Sequence, residues 1–346
     1  MSLISLYTEI LKNHNVPYDI IYMDKYDEDE PFECAHKYRY VNLIGRKWPK
    51  IFKRIKYMMF VPYAIRILRR NKYDFIIVWN DVAIFMFAEY LGRFMKGKYC
   101  LNVRDDMEYR NPLYKRMYKR CFANSAFNTI SSKGYLTFLP KSASYIPINS
   151  LNLSVLKGMK IHERMRQNTE PIRIGYIGYV RFFERNQQLM EIFANDPRFE
   201  LHYYGKNANV LKEYAEQKGI KNTAFHDSFP VQDTKQYLEK IDIINNLYGN
   251  ETVNLRTAIS IKFFHALYSR IPILVNTGTY IGEIATQLGV GFYVERIDDK
   301  TLPDRLFAWY RKIEFEKLNK ACDKFLEDAM KENAIFEKIV VDNLCK

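Results

Sequence analysis

The chain has 346 residues, 48% of them hydrophobic and 27% charged, and its 27 Tyr and 23 Phe supply enough apolar surface to exclude disorder. With 14 Gly and 12 Pro it is no collagen or linker, and its length suggests two domains. Of the net charge of +13, residues 1–150 carry +11, from 25 Lys and Arg against 14 Asp and Glu, which points to an anionic partner.

In chain order, the first half reads as helix over Leu3 to Asn13 and strand over Tyr18 to Met23. Helix follows over Ile51 to Arg70, with Pro62 expected to break or kink it. Strand Tyr73 to Trp79, helix Val82 to Phe94 and strand Lys98 to Val103 come next. Helix Pro112 to Phe122 and strands Phe127 to Ser131 and Ala143 to Ile148 complete the half. A doubly wound domain normally opens on a strand, whereas this one opens on a helix. The first strand is therefore absent, or replaced by the Met-Ser-Leu leader, or the helix is misread. Leu151 to Glu170 is polar and reads as a connection.

The second half alternates more cleanly. Strands are expected at Pro171 to Gly178, Phe199 to Gly205, Thr223 to His226, Asp242 to Leu247 and Pro272 to Asn276. Helices are expected at Gln187 to Phe193, Leu211 to Lys218, Tyr237 to Glu239 and Ala258 to Tyr268, and a mostly helical tail covers Arg305 to Cys345. Strands alternating with helices, with glycines at strand ends, indicate a parallel doubly wound sheet whose ligands bind at the carboxyl ends of the strands. The expected domains are 1–150, a linker 151–170, 171–305, and a tail 306–346 that packs back on the first domain.

Five scattered cysteines with no CxxC pair argue against a disulfide scaffold or zinc ribbon. No apolar run is long enough to span a membrane, and no signal peptide is evident. The expected location is cytoplasmic, peripheral at the inner face of the membrane. Arg46 to Lys72 holds ten basic residues and no acidic one, interleaved with aromatics. That is the make-up of a helix in a membrane interface, with Lys53, Arg54 and Lys56 at its centre and Tyr114 to Arg120 adding to the same face, or of a core helix with a solvated basic side.

Several ordered blocks resemble one family. Ile172-Arg-Ile-Gly-Tyr-Ile-Gly-Tyr-Val-Arg181 is similar to the opening strand and loop of the donor domain in GT-B glycosyltransferases of the family-4-like, capsule-assembly kind. Ser260-Ile-Lys-Phe-Phe-His-Ala-Leu-Tyr-Ser-Arg-Ile-Pro-Ile-Leu-Val275 resembles their "NKLFEYLAxGxPVI" block. Thr277 to Glu283 and Leu288 to Val294 are similar to the next segment of those enzymes. Leu101-Asn-Val-Arg-Asp105 is similar to the "DIRD" strand end, and Thr129-Ile-Ser-Ser132 to "xTxSS". The resemblance implies two Rossmann-like domains facing a cleft and transfer of a sugar from a nucleotide-diphosphate donor, a UDP-sugar first. The acceptor would be a glycan or polyprenyl-diphosphate-linked, and the setting surface-polysaccharide synthesis.

Gly178 lets the backbone turn, and the amino end of the next helix suits a diphosphate, with Arg181 beside it. Lys262 opposes its own helix dipole, so it either meets a phosphate or snorkels to solvent. His265 stands where the family has Glu, and either alters ribose recognition or packs in the core. Glu283 is placed near the donor sugar by the resemblance, or serves its helix dipole. Gly205 either admits the nucleotide base or makes a turn. Asp105 is the candidate general base, with Arg104 beside it, in an acceptor site or a structural ion pair. No metal motif is seen and no cofactor is expected. The basic charge also fits a non-catalytic nucleic-acid binder, but no nucleic-acid motif is present and no such partner is expected. An epimerase or an inactive partner on the same fold remain alternatives.

Overall fold

The computed structural model describes residues 4–28, 33–45, 48–151, 153–165 and 170–345. It divides into two compact units, residues 1–148 with 332–346, and residues 149–331.

In the first unit, α1 (Ser5–Asn13) leads to β1 (Ile20–Asp24), which pairs in parallel with β2 (Lys37–Val41). α2 (Lys50–Asn71), β3 (Ile76–Trp79), α3 (Asp81–Phe94), β4 (Tyr99–Val103), α4 (Pro112–Asn124), β5 (Phe127–Ile130) and β6 (Ile146–Pro147) follow. β3 to β6 form a second parallel sheet in sequence order, separate from β1 and β2. β2 was not expected: Lys37 and Arg39 interrupt its tyrosines, and among the described residues it pairs with β1 only. Pro62 does not break α2, which runs unbroken through it. Proline withholds one amide and clashes one turn back, and the turns on either side still carry the helix. The leader Met1 to Leu3 and the basic residues Arg46 and Lys47 lie outside the described residues.

The core on one face of the four-stranded sheet joins Tyr7 and Ile10 of α1 to Cys100, Phe127 and Ile148. Phe336 and Val340 complete it.

The second unit holds α5 (Leu153–Leu156), β7 (Ile172–Ile177), α6 (Phe183–Ile192), β8 (Phe199–Tyr204), α7 (Ala208–Lys218), β9 (Thr223–His226), α8 (Thr234–Leu238) and β10 (Ile243–Asn245). α9 (Val253–Thr257), α10 (Ile261–Ser269), β11 (Ile273–Asn276), α11 (Tyr280–Gln287), β12 (Gly291–Val294), α12 (Leu302–Arg311) and α13 (Phe315–Leu344) complete the chain, the last turns of α13 belonging to the first unit. All six strands are parallel, in the order β12-β11-β10-β7-β8-β9. Alternate residues serve opposite faces: Ile273 and Val275 join one core, and Leu274 the other.

Two expectations change here. The helix expected over Ala258 to Tyr268 begins three residues later, as α10, and an unexpected α9 precedes it, because residues 258–260 turn extended and Ser260 caps α10, its hydroxyl accepting the Lys262 amide at 3.2 Å. The expected connection is partly core: Leu151, Leu156 and Met159 are buried in the second unit. Residues 152 and 166–169 of that stretch lie outside the described residues.

Candidate functional site

The carboxyl edge of the second unit's sheet carries one group of the expected residues. The chain leaves β7 through Gly178, at φ 108°, and enters α6 behind Phe182, at φ 55°, with no side chain capping the first amides. α6 therefore begins four residues earlier than the apolar pattern suggests. Gly205, at φ 133°, closes β8 so tightly against Gly178 that an added Cβ would stand 2.0 Å from the Gly178 carbonyl oxygen. Contact between the two strand ends is reason enough for glycine there.

β10 and β7 are neighbours, and the chain winds away from them in opposite directions. This is the switch point at which doubly wound sheets open a crevice. Lys262, in the first turn of α10, lies beside it. Its side chain does not reach solvent: the residue is 4% exposed. Nζ stands 2.9 Å from the centre of the Tyr176 ring, 5.3 Å from that of Tyr248, and 3.4 Å from the Asn245 carbonyl oxygen. No carboxylate pairs with it among the described residues. Burial, and then the charge of nearby Arg181, hold the ammonium well below the usual lysine range.

Arg181 itself is exposed, its guanidinium 5.8 Å from the Tyr179 ring. One turn after Lys262, His265 is buried and its Nε2 has no hydrogen-bond partner. Burial, then Lys262, push its pKa down to about 4, so the ring is neutral at pH 7. Arg181 and Lys262 thus lie close enough to feel each other's charge, and the dipole of α10 adds further positive potential at Lys262. Among the described residues no anion balances this arrangement. Glu283 does not supply it: it lies exposed in the first turn of α11, which Thr279 caps by accepting the Gly282 amide at 3.0 Å.

The sequence reading missed Tyr176 and Tyr248, the rings that enclose Lys262. Tyr248 also stacks on Phe182, with centroids 5.0 Å apart. Tyr176 sits inside the quoted Gly-Tyr-Ile-Gly stretch, but an apolar strand pattern does not reveal which face meets a lysine 86 residues away.

In the first unit, Arg104 and Asp105 follow β4. A residue not singled out holds them. Asp81, at the start of α3 and 4% exposed, accepts the Arg104 amide at 2.9 Å and the Asp105 amide at 2.7 Å through Oδ2. Its Oδ1 accepts the Tyr109 hydroxyl at 2.6 Å. Burial outweighs these hydrogen bonds and pushes its pKa up to about 7. The Asp105 carboxyl is also raised, by desolvation, against the lowering effect of Arg104. Desolvation lowers Arg104 in turn, and its guanidinium lies 5.6 Å from the Trp79 ring. Arg104 and Asp105 form no ion pair within 4 Å among the described residues.

Lys53, Arg54 and Lys56 lie on α2. Arg54 is engaged in an ion pair with Glu108, and Lys56 stands 5.9 Å from the Trp48 ring. On the same helix Ile51, Phe52, Ile55, Met58 and Met59 are exposed, at helical spacing that makes a continuous apolar stripe. Buried Phe60, Ala64 and Ile67 anchor the rest of α2. Among the described residues no helix is long and apolar enough to cross a membrane.

No family model matches the chain, and no curated protein matches it. Solved structures do. Sucrose-phosphate synthase from Thermosynechococcus elongatus is 11% identical, with a TM-score of 0.68 over 98% of this chain and 93% of that one. A glycosyltransferase from Rickettsia africae is 9% identical, with a TM-score of 0.61 over 89% and 85%. Anabaena HepE, solved in complex with UDP, is 10% identical, with a TM-score of 0.60 over 97% and 89%. The fold is GT-B. At these identities the likeness concerns fold alone, and chemistry in a GT-B chain has to be argued from its own residues.

Proposed function

We propose that the chain is a glycosyltransferase that moves a sugar from a nucleoside-diphosphate donor, a UDP-sugar first, to a glycan or polyprenyl-diphosphate-linked acceptor in surface-polysaccharide synthesis. One observation carries the reading: a buried lysine at the sheet's switch point, near an arginine and at a helix amino end, with no carboxylate among the described residues to balance it. A diphosphate is the anion that fits such a place, and neutralising it favours its departure. The acceptor hydroxyl oxygen bonds to the anomeric carbon as the bond from that carbon to the diphosphate oxygen breaks. The nucleoside diphosphate leaves to the site of Lys262 and Arg181. The hydroxyl proton passes to Asp105, whose raised pKa makes it a better base than an ordinary aspartate.

A thermal-shift titration against UDP, GDP, CMP, dTDP and NAD tests the donor. UDP at 100 times its Kd is expected to raise the melting temperature by about 5–10 °C, and NAD to leave it unchanged. A flat response to all five would remove the reading.

The acceptor's lipid is the reason to place the exposed stripe of α2 against an anionic membrane. Aromatic and aliphatic side chains flanked by Lys53 and Lys56 suit the headgroup boundary. Reversing both lysines to Glu is expected to weaken co-sedimentation with phosphatidylserine vesicles by about tenfold or more, since each cation near such a surface contributes about 1 kcal/mol. Equal sedimentation of variant and parent would return α2 to a solvated basic face.

A further inference from the structure

The loop between β7 and α6 carries Arg181 in a conformation that is not its easiest one. Phe182, at φ 55° and ψ 52°, is left-handed, a region that bulky residues avoid unless their surroundings hold them there. Its ring is held by the stack on Tyr248, and the backbone is held by side chains. The Tyr176 hydroxyl donates to the Tyr179 carbonyl at 3.2 Å, and Asn207 Nδ2 to that of Val180 at 3.4 Å. Asn186 Nδ2 donates to the Arg181 carbonyl at 2.8 Å and to the Phe182 carbonyl at 3.0 Å. Four successive carbonyls thus each accept from a side chain of the second unit.

Asn186 does more than tether the loop. It lies inside α6 and is 3% exposed, where an asparagine is a poor helix former and needs its polar atoms matched. With Nδ2 committed to the loop carbonyls, Oδ1 is left for another donor, and Asn245 Nδ2 supplies it at 3.1 Å. Asn245, buried at the end of β10, accepts the Leu247 amide through its own Oδ1 at 3.0 Å. Neither amide can be turned over without setting donor against donor, so the chain of bonds has one direction. The Asn245 carbonyl is also the one that Lys262 Nζ approaches at 3.4 Å. One buried path therefore runs from the backbone of Arg181 through Asn186 and Asn245 to Lys262.

The two cations need such a path. Burial first, and the charge of Arg181 second, destabilise the Lys262 ammonium, so a free loop would relax away from the lysine.

We propose that Asn186 is the positioning residue of the donor site: through Asn245 it fixes the backbone of Arg181 to the strand end beside Lys262, so that both cations stand in place for one diphosphate before it arrives. The ligand in this assignment rests on the glycosyltransferase reading, while the spacing of the cations rests on the hydrogen bonds alone. Repulsion between the cations and the strain of Phe182 are met on folding, and a diphosphate then binds without having to order the loop.

Asn186→Leu keeps the side-chain volume and removes the bridge. Asn186→Ser can still bond to the Phe182 carbonyl one turn back but is too short to reach Asn245. The first readout needs no ligand: Lys262 is titrated by carbon NMR in the parent, in both Asn186 variants, in Arg181→Gln, and in Arg181→Gln combined with Asn186→Ser. Lys262 is expected to titrate higher in the Asn186 variants than in the parent, as in Arg181→Gln. The combined variant is expected to go no higher than Arg181→Gln alone, because Asn186 acts through Arg181. The second readout is calorimetric affinity for UDP, expected to fall about tenfold in either Asn186 variant. A folded Asn186 variant in which Lys262 titrates as in the parent would overturn the proposal, as would a combined variant in which the two shifts simply add. A lower melting temperature with both readouts unmoved would leave Asn186 a packing role only. A parent that binds no UDP while the titration shifts hold would remove the glycosyltransferase reading and keep Asn186 as the residue that spaces the two cations.

Discussion

Lys262→Met is expected to yield a chain that melts higher than the parent and no longer responds to nucleoside diphosphates. Methionine fills nearly the same volume between Tyr176 and Tyr248 and needs no counter-ion, so the ligand-free protein loses a buried, uncompensated charge. Replacing buried ionic groups by apolar ones of similar shape is neutral or stabilising by about 1–4 kcal/mol. The sign follows from proton linkage. Lys262 titrates below the unfolded value, so the native state holds fewer protons than the unfolded state between the two, and stability climbs with pH in that window. The Met variant should lose that slope. Binding moves the other way. A charge-assisted contact to a phosphate contributes about 1.5–3 kcal/mol, so diphosphate affinity should fall about 10- to 100-fold, and further if Arg181 cannot hold the ligand alone. Calorimetry in buffers of different ionisation enthalpy adds an independent readout. A diphosphate beside Lys262 should raise its lowered pKa and so draw protons into the site. A variant that melts lower and binds UDP as tightly as the parent would take Lys262 out of the donor site.

Asp105→Asn should retain the thermal response to UDP and lose transfer by about 100- to 10,000-fold, the range that general-base groups contribute. Asparagine keeps the shape and the backbone amide that Asp81 accepts, so the turn after β4 should persist. In the parent, transfer should fall off on the acid side at a pH above that of an ordinary aspartate, because the Asp105 carboxyl is raised and must be ionised to take the proton. Protonation of Asp81 near pH 7 overlaps this limb, so the acid side should be broader than a single titration. Full transfer by the Asn variant with an intact acid limb would assign the base elsewhere.

The second unit was readable because its chemistry is repetitive. Ile172 to Ile177 is a short apolar run closed by Gly178, Thr223 to His226 stands between turn residues, and Ile273 to Asn276 comes directly after Pro272. A strand buried on both faces leaves such a record, whatever packs against it. β2 left none, since Lys37 and Arg39 look like surface charge until β1 pairs beside them. The site was legible only in part. A lysine in a helix's first turn has the same sequence appearance whether it snorkels or is enclosed, and the enclosing rings come from β7 and from the loop after β10. Asp81 has the appearance of a helix-dipole aspartate. Its hold on residues 104 and 105 depends on β3 and β4 being neighbours, which no local pattern encodes.

α13 has a consequence for how the protein is made. Phe336 and Val340, near its end, complete the same core as Tyr7, Ile10 and Cys100. A ribosome delivers the early residues first, yet their packing waits until the helix has emerged, after the whole of residues 149–331. The first unit therefore matures after the second, holding part of its core uncovered while residues 149–331 are made. A stalled or truncated product would expose that surface to chaperones and proteases, while the later unit would already be closed.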